Sequence, residues 1–266
     1  MLIDTHCHLD ASEFNEDRAQ VADAAIRAGV RAIVIPAIGR MNFATVRDLA
    51  HTFEGGSYAL GIHPLFVRYA ADEDLDHLRD AIEASLDDPR FVAIGEIGLD
   101  FFIPALCEPA MREKQDHFFR EQLRIARDFA LPVLMHVRRS QDQVLKHVRQ
   151  IRPAGGIAHA FNGSFQQAQT YIELGFKLGF GGAMTFTRAL QIRRLATQLP
   201  LDAIVLETDA PDIAPSWVHP GINSPEQLPA IGAALAGLRA LSSEQVRVAT
   251  QANALAALPR LRALQA

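Results

Sequence analysis

The sequence predicts a (β/α)8 barrel, an α/β fold of the TIM type, and three observations predict it. Eight short apolar runs alternate with longer amphipathic stretches from end to end. Those runs are nearly continuous, as strands buried on both faces of a parallel sheet must be. The length of 266 residues suits a barrel, for which about 250 is typical. The competing arrangement, an open doubly wound sheet, calls for a glycine-rich phosphate turn after its first strand, and none follows Leu2-Ile3.

In chain order the predicted strands begin with Leu2-Ile3, Ala32-Ile33-Val34-Ile35, Tyr58-Ala59-Leu60-Gly61 and Phe91-Val92-Ala93-Ile94. The second half supplies Leu131-Pro132-Val133-Leu134-Met135, Gly156-Ile157-Ala158, Lys177-Leu178-Gly179-Phe180 and Ala203-Ile204-Val205-Leu206. Helical periodicity fills the gaps. Between Ser140 and Pro153, the residues Val144, Leu145, Val148 and Ile151 fall on one face. Ser140 with Gln143, Ser164 with Gln167 and Ser242 with Gln245 have the spacing of capping boxes, and Gly175 is placed to end the second of these helices. No Pro/Gly/Ser-rich linker divides the chain, so one barrel domain is expected over residues 1–266.

Composition narrows the class. At 49% hydrophobic residues the chain is neither disordered nor, with only 17 Gly and 14 Pro, collagen-like. The 26 basic and 31 acidic residues leave a net charge of −5, which excludes a broadly basic nucleic-acid glove. Cys7 and Cys107 are too few for a disulfide framework, so a reducing compartment is expected. The N-terminus lacks a basic region and meets an acid at Asp4, unlike a signal peptide. No apolar stretch approaches the roughly 20 residues of a membrane helix. A cytoplasmic protein with no membrane association and no obligate protein partner is therefore expected.

Function enters through the positions of the ten histidines. Barrel active sites form at the C-terminal ends of the strands. Asp4, His6 and His8 follow the first strand, His63 the third and Glu96 the fourth; His136 and Arg138 end the fifth, His159 the sixth, and Glu207 with Asp209 the eighth. His51, His77, His117 and His147 fall in helical windows and His219 in a loop, which leaves five histidines at one rim. Two residues apart on an extended segment, His6 and His8 share a face. Neutral imidazoles with carboxylates bind zinc or a similar divalent ion. The ligands exceed what one ion needs. His6, His8 and Asp209 suit one, His136 and His159 a second, and Glu96 lies between them as a bridge. Two such ions support displacement by water, with Asp209 as the general base that takes its proton.

Four positions carry two readings each. His63 either touches substrate or hydrogen-bonds within the rim. Arg138 either meets a phosphate as a bidentate donor or pairs with a carboxylate such as Asp142. Trp217 and Phe102, on rim loops, either stack bases or anchor their loops. Cys7 points away from its histidine neighbours and belongs to packing, and Cys107 shows no motif.

The ordered set Asp4-Thr5-His6-Cys7-His8-Leu9, Gly61-Ile62-His63-Pro64, Gly95-Glu96-Ile97-Gly98-Leu99-Asp100 and Glu207-Thr208-Asp209-Ala210-Pro211 resembles the TatD family of metal-dependent deoxyribonucleases. Gln115, Phe119, Gln122, His136-Val137-Arg138 and Asn253 agree with it, so the resemblance runs along essentially the whole chain. It implies a TIM barrel with two divalent ions (Zn, Mn or Mg) held by His6, His8, Glu96, His136, His159 and Asp209. It also implies hydrolysis of DNA phosphodiesters from the 3′ side, with DNA as the partner. Some relatives are linked to DNA repair or to removal of D-amino acids from tRNA. One departure stands out. Members often carry Arg-Asn-x-Pro after the last strand motif, whereas this chain has Ile222-Asn223-Ser224-Pro225. The alternative function is therefore hydrolysis of another ester or amide, such as a D-aminoacyl-tRNA or a small molecule.

Overall fold

The computed structural model describes residues 1–265. Its eight strands are β1 (Leu2–Asp4), β2 (Val30–Pro36), β3 (Gly56–Leu60), β4 (Phe91–Asp100), β5 (Val133–Arg138), β6 (Gly156–Ala158), β7 (Phe176–Phe180) and β8 (Ile204–Leu206). They pair in sequence order, and every paired neighbour is parallel. This is the predicted TIM barrel. The helices between and after them are α1 (Arg18–Arg27), α2 (Phe43–Ala50), α3 (Glu73–Ser85), α4 (Pro109–Asp128), α5 (Gln141–Ile151), α6 (Phe165–Glu173), α7 (Leu190–Gln198), α8 (Leu228–Arg239) and α9 (Ser243–Ala257).

Side-chain alternation along the strands builds two apolar layers. On β2, Ile33 and Ile35 pack toward the helices, while Ala32 and Val34 belong to a second cluster with Ile3, Ala59, Leu134, Ile157 and Val205. That inner cluster also takes in Ala254, Ala257, Leu258 and Leu261, so the end of α9 packs against the side chains that fill the barrel. Arg260 fastens this plug by donating to the carbonyls of Leu86, Asp88 and Phe91. The outer layer follows helical spacing: Val144, Leu145, Val148 and Ile151 of α5 are all buried. Each such side chain contributes about 1.5–3 kcal/mol by leaving water.

The capping boxes form at Ser164 and Ser242, and Gly175 takes a φ of 85° just past α6, as a left-handed terminator should. Ser140 departs from its spacing. It sits at the N-cap of α5, but its hydroxyl donates to the Leu99 carbonyl at 2.6 Å and makes no cap. Gln143 turns instead to Asp116 and His147. A buried hydroxyl needs a partner, and the Leu99 carbonyl supplies one here. Among the described residues no helix is long and apolar enough to cross a membrane.

The barrel closes between β8 and β1. Thr5 donates its N–H to the Leu206 carbonyl at 3.2 Å, Asp209 to His6 at 2.8 Å, and His8 to Ala210 at 2.8 Å. The residues that close this seam are the ones that begin and end the rim motif.

Candidate metal centre

Six strand ends deliver their predicted residues to one cluster, and Glu96 is its hub. Its position comes from an irregularity in β4. Ile94 pairs with Val133 and Ile97 with Met135, so three steps on β4 match two on β5. Bulges of this kind re-aim a side chain. Glu96 is 1% exposed, and its two oxygens face different partners. Oε2 lies 3.0 Å from His6 Nε2 and 3.3 Å from His8 Nε2. Oε1 lies 2.8 Å from His136 Nδ1, 3.1 Å from His159 Nε2 and 3.3 Å from His63 Nε2. Asp209 Oδ1 joins the first set, at 3.7 Å from His6 Nε2 and 4.0 Å from His8 Nε2.

Asp209 holds its position at a φ of 56°, a left-handed conformation that costs a non-glycine residue roughly 1–3 kcal/mol. Its N–H bond to His6 and the neighbouring Thr208–Asp4 contacts maintain it. Gly98 is required for a steric reason: a Cβ there would fall 1.9 Å from the His136 carbonyl oxygen.

Charge and burial divide the protons unevenly. Burial holds His6 down to about 3, with the charge of His159 adding to it, and holds His63 down to about 4. For His8 burial pulls the same way, but the hydrogen bond and charge of Glu96 and the charge of Asp209 outweigh it and push the value up to about 9. His136 and His159 are also raised, against the effect of burial, by their carboxylate neighbours. Glu96 lies well below the carboxylate range because the charges of His63, His6 and His159 and the His136 hydrogen bond overcome burial. Burial lifts Asp209 to about 6. The raised values of His8, His136 and His159 thus all trace to the carboxylates they face, Glu96 above all, the same negative charge that a cation would meet.

The donor chemistry fits divalent ions. Three groupings bring ligand atoms within 4.8 Å of one another: His6, His8 and Asp209; His6, Glu96 and His159; His63, Glu96 and His136. Imidazole and carboxylate donors together suit zinc, manganese or iron. The buried Nδ1 atoms of His6 and His159 have no hydrogen-bond partner. His63 separates from the others by its tautomer. Its Nδ1 accepts the Leu65 N–H at 3.1 Å, so in the neutral ring the proton is on Nε2, which then donates toward Glu96 and His136.

Arg138 does not pair with Asp142, which accepts from Gln167 instead. Its guanidinium lies 3.7 Å from the centre of the Phe102 ring, and that of Arg139 lies 4.6 Å from it. Both arginines are exposed at the rim, beyond His136. Trp217 is half exposed, with its indole N–H given to Gln227, and Ile222 is exposed. Cys7 is fully buried.

Residues that sequence reasoning quoted without a role turn out to support the cluster. Asp100 Oδ2 sits 3.2 Å from His136 Nε2, and Glu207 Oε1 sits 3.7 Å from His159 Nδ1. Gln122 pins both the N–H and the carbonyl of Ile62, fixing the strand end that carries His63. Gln115 accepts the Asp100 N–H and donates to Leu106. Asn223 holds the loop after Asp209 through the carbonyls of Thr208 and Asp212. A period-2 reading of Glu96, Gly98 and Asp100 was the available signal for Asp100.

Residues 3–259 match the family described as TatD related DNase. The uncharacterized metal-dependent hydrolase YjjV of Escherichia coli is 38% identical over 252 residues, covering 94% of this chain and 95% of that protein. Its crystal structure superposes with a TM-score of 0.91 at 36% identity, covering 97% of this chain and 98% of the other. A protein of Mus musculus provisionally named deoxyribonuclease TATDN3 is 30% identical over 270 residues, covering 99% of this chain and 90% of its own. The match along the barrel, joined to a rim of histidines and carboxylates that fits divalent ions, places the chain in the TatD-related family of metal-dependent hydrolases.

Proposed function

We propose that the chain is a deoxyribonuclease that hydrolyses DNA phosphodiesters with two divalent ions. The observation that carries the reading is the division of partners between the Glu96 oxygens, His6 and His8 on Oε2 and His136 and His159 on Oε1. A bridging carboxylate needs that division. His6, His8 and Asp209 would hold one ion and His136 and His159 the other, with Glu96 shared. Bound there, the ions lower the pKa of water and offset the charge of the phosphodiester.

The chain's own residues supply the rest. Asp209, at the partly open side of the cluster, accepts the proton of the attacking water. His63, with its proton on Nε2, donates toward the reacting phosphate or keeps Glu96 in place. Arg138, braced on Phe102, meets the phosphate from the rim as a bidentate donor. The family description and the name of the mouse relative favour DNA as substrate.

End-labelled single-stranded DNA incubated with the protein and Mg or Mn should shorten, and Asp209→Asn should abolish the shortening. Intact DNA at high enzyme concentration sinks this reading. The exposed Ile222 favours a second one, an ester or amide outside DNA, since it puts no cation where a phosphate contact is common. Faster turnover of such a substrate than of DNA, under matched metal conditions, decides for it.

A further inference from the structure

Two buried carboxylates stand behind the Oε1 half of the cluster, each against the outer nitrogen of a histidine. Asp100 is placed conventionally. Its Oδ1 accepts the N–H groups of Phe102 and Ile103, and its Oδ2 takes His136 Nε2 at 3.2 Å, so His136 shows Nδ1 to Glu96. His159 is turned the other way round. Its Nε2 faces Glu96 at 3.1 Å, and its Nδ1 faces Glu207 Oε1 at 3.7 Å.

Glu207 has little other reason to be where it is. It is 1% exposed, and its one hydrogen bond comes from the Ala160 N–H to Oε1. Its Oε2 has no partner, and neither has His159 Nδ1, although both are buried. One backbone N–H does not offset the cost of burying a carboxylate, and an amide oxygen would serve that N–H as well. The fold also makes room for it. A Cβ on Gly179 would stand 2.1 Å from Glu207 Oε2, inside the carboxylate.

We propose that Glu207 is a positioning residue that keeps the His159 proton on Nδ1 and leaves the Nε2 lone pair free for a cation shared with Glu96. Gly179 is a glycine so that the carboxylate fits. The two histidines of one ion site are then held in opposite tautomers by two different carboxylates, Asp100 and Glu207. A neutral imidazole has one donor and one acceptor nitrogen, so the wrong tautomer turns an N–H toward the ion. Groups behind a ligating histidine change metal affinity by about 10–100-fold. This inference rests on the metal reading above but not on DNA as substrate.

The test uses the full chain and zinc alone. Stripped protein is titrated against a chelator of known affinity, as wild type, Glu207→Gln and Gly179→Ala. Both variants should bind one zinc about 10–100-fold more weakly and keep the other, while the zinc-free chain still folds and melts cooperatively. Gly179→Ala leaves every charge in place, so it separates displacement of the carboxylate from its removal. Nitrogen spectra of the zinc-loaded wild type should show His136 bound through Nδ1 and His159 through Nε2. Binding of His159 through Nδ1, or two variants that bind zinc as the wild type does, overturns the inference and leaves the nuclease reading standing. A wild type that takes up no zinc at this cluster overturns both.

Discussion

The Asp4 carboxylate ties the first strand to the end of the last one: Oδ2 accepts the Thr208 hydroxyl at 2.6 Å and Oδ1 accepts the Thr208 N–H at 3.0 Å. Oδ1 also takes the His6 N–H at 3.3 Å. Asp4 therefore fixes the backbone of one site residue and of the immediate neighbour of another. Asp4→Ala strands two buried donors of Thr208, each worth about 1–3 kcal/mol when left unpaired. Urea unfolding should show a loss of roughly 3 kcal/mol with an unchanged slope. Asp4→Asn keeps one acceptor oxygen and should lose less. Equal stability of Asp4→Ala and wild type would remove this role.

Glu96→Gln keeps the shape of the hub and removes its charge. Both proposed metal sets would lose a shared ligand, so affinity for Mn or Zn should fall by more than the roughly 100-fold that outer groups produce. Phosphodiester hydrolysis should fall with it at any fixed metal concentration. Calorimetric titration of the variant checks the first outcome, and unimpaired binding contradicts the bridge.

Metal uptake should release protons, and the sign follows from His8. Pushed up to about 9, its ring is protonated at pH 7.5, whereas a ligand must be neutral. Apparent affinity should then rise as pH increases toward 9. It should fall further as pH drops through about 6, where Asp209 takes up a proton. Titrations in two buffers of different ionisation enthalpy count the protons, and uptake in place of release contradicts the assignment.

Arg138→Ala should raise KM for DNA by about 10-fold while kcat changes little, the loss expected for one charge-assisted contact. The salt dependence of binding should weaken by about one phosphate contact. Phe102→Ala, which removes the ring under both Arg138 and Arg139, should act in the same direction and more weakly. If both variants bind an oligonucleotide with wild-type affinity and salt slope, the phosphate runs elsewhere on the rim.

The barrel and the membership of its rim were legible because both are written locally. Strand runs such as Ala32 to Ile35 are apolar by themselves, and His6 and His8 share a face by spacing alone. The grouping of His6, His8 and Asp209 agrees with the set expected from spacing, whereas His159 falls with His6 and Glu96, and His136 with His63 and Glu96. What sequence could not show depends on contacts across the barrel. The tautomer of His63 is set by the Leu65 N–H, and Ser140 leaves its helix for a carbonyl on β4. Glu207 lies two residues from Asp209 along the chain, yet its work is done on β6 and against β7. Such pairings join residues far apart in the chain.

The seam between β8 and β1 bears on how the protein is made. His6 and His8 are translated first and Asp209 more than two hundred residues later, yet their backbones bond directly to one another and to Ala210. A nascent or prematurely ended chain that stops short of Asp209 has neither the closing hydrogen bonds nor the carboxylate that faces His6 and His8. The rim cluster is therefore complete only when synthesis has passed the last strand.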